Sequence, residues 1–149
     1  MKRLCVVSAL LVCASVSMAA TGTVTEAAVT LSGVTKLTVD WTCGANGDVE
    51  QTLATRAGTI RRVTFDPDDT TPPVNLYDVT LSDADGVDLL QGLGGNLASN
   101  AASSVVPLET AGDGASITSG VAVVFYDRLS LSITNAGVSK VGQIILYLR

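Results

Sequence analysis

An all-β fold, a single antiparallel β-sandwich or jelly roll of about eight strands, is predicted by three observations on this sequence. Short segments rich in Val, Thr, Leu and Ile alternate apolar and polar residues. Gly, Asp, Asn and Pro punctuate them at short intervals. The 4% aromatic content, against 47% hydrophobic residues overall, describes a core of aliphatic side chains between thin, regular layers. At 149 residues the chain makes one domain with a workable core, and two would be cramped.

The strands follow in order. Gly22 to Thr30 alternates Thr and Val, as β-branched residues favour. In Val34 to Thr42, Leu37, Val39 and Trp41 fall on one face, and Lys36, Thr38 and Asp40 on the other. Asn46-Gly47 is a turn signal. Val49 to Ala54 and Gly58 to Phe65 read as the next strands. Inside the second, Arg61 and Arg62 should point to opposite faces, which is not the basic stripe that nucleic acid requires. Asp66 to Pro73 carries three prolines and reads as a loop. Val74 to Ser82 resumes the alternation, with Tyr77, Val79 and Leu81 sharing a face.

Gly86 to Ser104 is different in kind. Rich in Gly, Ala, Ser and Asn, it reads as a long flexible connection, with one helical turn over Val87 to Leu90. Val105 to Leu108 is expected to be a short edge strand ended by Pro107. Three strands then close the chain: Gly120 to Tyr126, Leu129 to Thr134 and Gly142 to Leu148, with a tight turn at Asn135-Ala136-Gly137. Trp41, Tyr77, Tyr126 and Tyr147 all fit inward-facing or edge positions.

Residues 1–19 have the form of a secretory leader. Lys2-Arg3 precedes an apolar run from Leu4 to Val16, and Ser17-Met18-Ala19-Ala20 offers a small-residue cleavage site. The run is short for a stable membrane span. Met18 is also an alternative start, which would leave residues before it untranslated, so a β domain over 20–149 stands under either reading. The leader contains Cys5 and Cys13, so the remaining Cys43 has no partner for an internal disulfide and reads as a half-buried filler. Loss of Lys2 and Arg3 would leave 7 basic residues against 14 acidic, a net charge of −7. Scattered acidity of this size argues against a nucleic-acid partner.

No catalytic set emerges. The chain has no histidine, which excludes a serine triad and leaves a zinc site without its usual ligands. Gly92-Leu93-Gly94-Gly95 lacks the lysine of a phosphate loop. Asp40 and Asp78 lie on polar strand faces without an evident reason for acid–base work. Asp83, Asp85 and Asp88 surround Gly86 and suggest a calcium loop. The spacing departs from that of an EF-hand, so capping of a strand-ending turn is the plainer reading. Asp66, Asp68 and Asp69 read as a solvated proline loop. No cofactor is expected, and a non-enzymatic structural or binding module is.

The start Ala20-Thr21-Gly22-Thr23-Val24-Thr25, the centre from Tyr77 to Leu90 and the end from Thr134 to Arg149 resemble small structural proteins of tailed bacteriophages, some of which decorate the head. The resemblance covers roughly residues 20 to 149 and rests on turn-and-strand features. It implies a virion location, with capsid or other virion proteins as partners. It also implies a homo-oligomer, a trimer being one form such proteins take, and contact through strand edges and an N-terminal arm. Thr21, Gly22, Thr23, Val24 and Thr25 are the expected contact residues, with the loops Asp66 to Pro73 and Gly92 to Ser104. Relatives of this kind begin near Met18. A cleaved leader would instead mark a secreted or periplasmic adhesion module.

Overall fold

The computed structural model describes residues 21–54, 57–108 and 122–149. The leader read over 1–19 lies outside them. The described residues form nine strands and no helix: β1 (Thr23–Leu31), β2 (Val34–Thr42), β3 (Val49–Thr52), β4 (Gly58–Pro67), β5 (Asp78–Ser82), β6 (Ser103–Val105), β7 (Val124–Phe125), β8 (Ser130–Thr134) and β9 (Val141–Leu148). All pairings are antiparallel. The large sheet runs β1-β2-β9-β4-β6, with β7 also on β4, and the small sheet runs β3-β8-β5. The sandwich predicted from alternation is therefore present.

The core lies between the two layers. Leu37, Val39 and Trp41 of β2, Ile144, Leu146 and Leu148 of β9, and Ile60, Val63 and Phe65 of β4 come from the large sheet. Val49, Val79, Leu81, Leu131 and Ile133 meet them from the small sheet, and all are buried. The turns are those the sequence demands. Ser32 and Gly33 both have positive φ (50° and 76°), a two-residue turn of the kind whose twist suits a hairpin. Asn46-Gly47 turns with Gly47 at φ 83°.

Several expectations need correction. Arg61 and Arg62 do not split between faces. A bulge shifts the β4–β9 register between Ile60 and Arg62, so Arg61 is the extra residue and both side chains are exposed. The strand read over Val74 to Ser82 begins only at Asp78, because Leu76 has φ 68° and breaks the extended run. β4 continues into the proline loop as far as Pro67, which pairs with Gly142. Asp68 N donates to Val141 O (3.3 Å), so by alternation the missing N–H of Pro67 points away from β9, past the end of β6, where no acceptor is needed. The edge strand placed at Val105 to Leu108 is Ser103–Val105 instead. Of Gly120 to Tyr126, residues up to 121 lie outside the described ones. Only Val124–Phe125 form a strand, and Tyr126 is 80% exposed. Cys43 is fully buried rather than half-buried.

Residues 83–97 are the largest departure. In place of a free connection they form a covering of turns along the open side of β5. Leu89 N donates to Leu81 O (2.8 Å), Val79 N to Gly94 O (2.8 Å) and Leu97 N to Tyr77 O (2.8 Å). Leu89, Leu90 and Leu97 are buried in the core. Gly94 is required there, since a β-carbon at that position would collide with the carbonyl oxygen of Val79.

Candidate interaction surface

Alternation turns every second residue of the large sheet outward, and the strand registers align these residues in rows across it. One row is Val29, Lys36, Tyr147 and Arg62. The next is Ala27, Thr38, Ile145, Thr64 and Ser104. The third is Thr25, Asp40, Gln143 and Asp66. Arg62 lies over the Tyr147 ring, 4.0 Å from its centroid, a cation–π contact that holds both side chains against the sheet. Gln143 Nε2 donates to Asp40 Oδ1 at 2.6 Å. Thr64 and Ser104 hydroxyls meet at 3.2 Å. The face is uncharged in the middle, basic at one end and acidic at the other.

The acidic end continues into the turn after β4. A groove of about 240 Å³ is lined by Asp40, Asp66, Asp68, Asp69 and Gln143. Asp68 Oδ1 accepts from Thr71 N (2.7 Å), Thr70 N (2.9 Å) and Thr71 Oγ1 (3.1 Å). The two backbone donors hold its carboxyl below the usual carboxylate range. Its charge is thus fixed in place by the turn.

The expected contact residues Thr21 to Thr25 are part of the sandwich and do not form an arm. Gly22 N donates to Asp48 O (3.3 Å), and a β-carbon at Gly22 would strike the Thr42 carbonyl. Val24 packs against the core, while Thr21, Thr23 and Thr25 are exposed. β1 as a whole is the edge of the large sheet and pairs only with β2 among the described residues. The two-residue turn makes Leu31–Val34 a hydrogen-bonded pair, so by alternation the backbone groups of Val24, Glu26, Ala28 and Thr30 point out from the open edge. The strand has no proline, lysine or bulge along its nine residues. Its single charge, Glu26, is turned toward the core side: Oε1 accepts from Ala54 N (2.8 Å), and Oε2 is buried with no hydrogen-bond partner. Val29 and Leu31 are 68% and 77% exposed.

Of the other edges, β5 and β4 are lined, while β3 pairs only with β8 among the described residues. Residues 83–97 line β5, and β6 and β7 line β4. Asp83, Asp85 and Asp88 sit in that covering. Asp83 Oδ1 accepts from Val87 N (2.9 Å) and Asp85 N (3.0 Å). Asp88 accepts from Leu90 N (2.9 Å) and Gly92 N (2.8 Å) through its two oxygens. These carboxylates cap turns, and no group of three His, Cys, Asp or Glu among the described residues is arranged to hold a metal. Burial, with Asp48 nearby, pushes the Cys43 thiol up to about 11, and burial, with Asp66 nearby, pushes Tyr77 up to about 12.

No described helix is long and apolar enough to cross a membrane. No family model, curated protein or solved structure matches the chain. Alternation alone assigns the outward residues of β2 and β8, but not those of β4, where the bulge intervenes. The rows they form, and the openness of β1, depend on strand neighbours that alternation leaves unspecified.

Proposed function

We propose that this chain is a non-enzymatic structural protein of a tailed-bacteriophage virion, a head decoration subunit that docks on capsid protein through the edge of β1. The open edge carries the reading. Four positions of β1, Val24, Glu26, Ala28 and Thr30, present backbone groups unpaired among the described residues, beside exposed Val29 and Leu31 and with the strand's one charge turned inward, the arrangement to which an extended segment of another protein adds as a further strand. The resemblance noted above supplies the class of partner.

The experiment pairs a location with a substitution. Mass spectrometry of purified particles should find the chain with an N-terminal peptide starting at Met18 or Ala19. Ala28→Pro removes one outward N–H without touching the β1–β2 ladder. It should weaken binding to purified capsids at least about tenfold, the loss of roughly one well-made hydrogen bond and its strand geometry. Unchanged capsid binding by Ala28→Pro would remove the edge from the mechanism. Peptides found only in culture supernatant or periplasm, starting at Ala20, would replace the virion reading with an exported β-sandwich. The leader-like residues 2–20 favour that second reading.

A further inference from the structure

We propose that the outward face of the large sheet binds the same face of a second copy of this chain, about a two-fold axis lying along the row Thr38–Ile145–Thr64. The inference does not depend on the particle reading.

The observation behind it is a symmetry in where the charges fall. On β2, Lys36 stands two residues before Thr38 and Asp40 two residues after it. On β4, Arg62 stands two before Thr64 and Asp66 two after. All four charged side chains are exposed and point outward. A two-fold axis in the plane of contact, perpendicular to the strands, reverses strand direction while leaving each strand over its own copy. Lys36 then meets Asp40 of the second copy, and Arg62 meets Asp66, twice each. Tyr147 falls on the neighbour's Gln143 in the same operation, ring hydroxyl toward side-chain amide.

Shape agrees with charge. The row on the axis holds Ala27, Thr38, Ile145, Thr64 and Ser104, none charged and all but Ile145 small, and on the axis Ile145 meets its own copy in an apolar contact. Two such faces can approach closely, and sheets stack face to face at about 10 Å. The interface is isologous, as a two-fold requires. The charge pattern also rejects a two-fold axis running along the strands at β9, because that would set Lys36 on Arg62 of the second copy and Asp40 on Asp66.

Size sets the expected strength. Four strands about 4.8 Å apart and roughly 27 Å long, with the three-residue β6 beside them, give a footprint of about 500 Å² per partner. Standard stable interfaces bury about 800 Å² per partner, so this contact belongs at the weak end, with micromolar affinity and marked sensitivity to salt.

Sedimentation equilibrium of the purified chain at about 20 mM and about 500 mM salt reads both properties. A dimer at low salt, weakened at least about tenfold at high salt, is expected. Lys36→Glu/Arg62→Glu makes both ends of the face acidic, and Asp40→Lys/Asp66→Lys makes both ends basic. Each variant alone should be monomeric, and an equal mixture should restore the dimer. Circular dichroism melts of the variants separate loss of contact from loss of fold. A wild-type monomer at about 100 µM and low salt would overturn the proposal, since a micromolar contact would be populated there. So would a dimer indifferent to either charge reversal, or a trimer, which an isologous face cannot close.

Discussion

Trp41 stands directly across from Gly142 on the neighbouring strand, and its indole occupies the space that a β-carbon at 142 would need. The ring covers the bare glycine backbone and reaches the core, where Tyr77 lies 6.0 Å away between centroids at 43°. Large and small residues are thus matched across β2 and β9, one pair from the end of their ladder.

Gly142→Ala should therefore destabilise the fold by about 2 kcal/mol through overpacking against a side chain with no room to retreat. Gly33→Ala is the control. Nothing lies within 4 Å of its added β-carbon, and only the positive φ of 76° is strained, which costs about 1 kcal/mol. Denaturant unfolding followed by Trp41 fluorescence should rank the two in that order. The reverse order would mean that the Trp41–Gly142 contact is looser than described.

A second expectation concerns Asp78, which ties two loops to the end of β5. Its Oδ1 accepts from Asn96 N (2.8 Å) and its Oδ2 from Asn135 Nδ2 (2.7 Å). Asp78→Ala should cost about 2 kcal/mol, the scale for removing a charged acceptor from two donors. Amide hydrogen exchange is the sharper readout. Protection at Asn96 and Leu97 should fall more than at Leu146, in the centre of the large sheet.

Alkaline pH should lower the stability of the protein in two successive steps. Cys43 is raised from 9.0 to about 11 and Tyr77 from 10.0 to about 12, both chiefly by burial. The folded state holds these protons more tightly than the unfolded chain, so their contribution is intact below pH 9.0. It declines as pH rises through the folded values, Cys43 first and Tyr77 second. Cys43→Ala should flatten the lower part of the decline and leave the upper part. A stability curve level between pH 9 and 12 would contradict both shifts.

The same burial predicts that Cys43 resists thiol reagents at pH 8 until the protein unfolds. Labelling by iodoacetamide should track global unfolding across a denaturant series. Fast labelling in buffer would show that the segment after β2 opens locally.

The faces of the long strands were readable from sequence because alternation decides them: Leu37, Val39 and Trp41 are buried, as are Leu131 and Ile133. What could not be read were features set by neighbours. The bulge at Arg61 arises from the register of β4 on β9, and its only trace in the sequence is the three-residue spacing from Ile60 to Val63. Residues 83–97 have loop composition, yet the bare side of β5 recruits their amides and carbonyls, and three of their four leucines, Leu89, Leu90 and Leu97, are buried in the core. The outward rows carry the same limitation, since Lys36 and Arg62 are 26 positions apart in sequence and share a row only because β9 lies between their strands.

That intervening position of β9 also governs how the protein can form. Of the nine strands the chain reaches β9 last, yet its neighbours are β2 and β4, and Thr35 pairs with Leu148. During synthesis the hairpin of β1 and β2 can close early, but it has no link to β4 until β9 is inserted. Contacts so distant in sequence slow folding. The half-made sheet meanwhile presents two raw edges and an uncovered apolar face, so the interval before β9 arrives is when the chain is most exposed to aggregation.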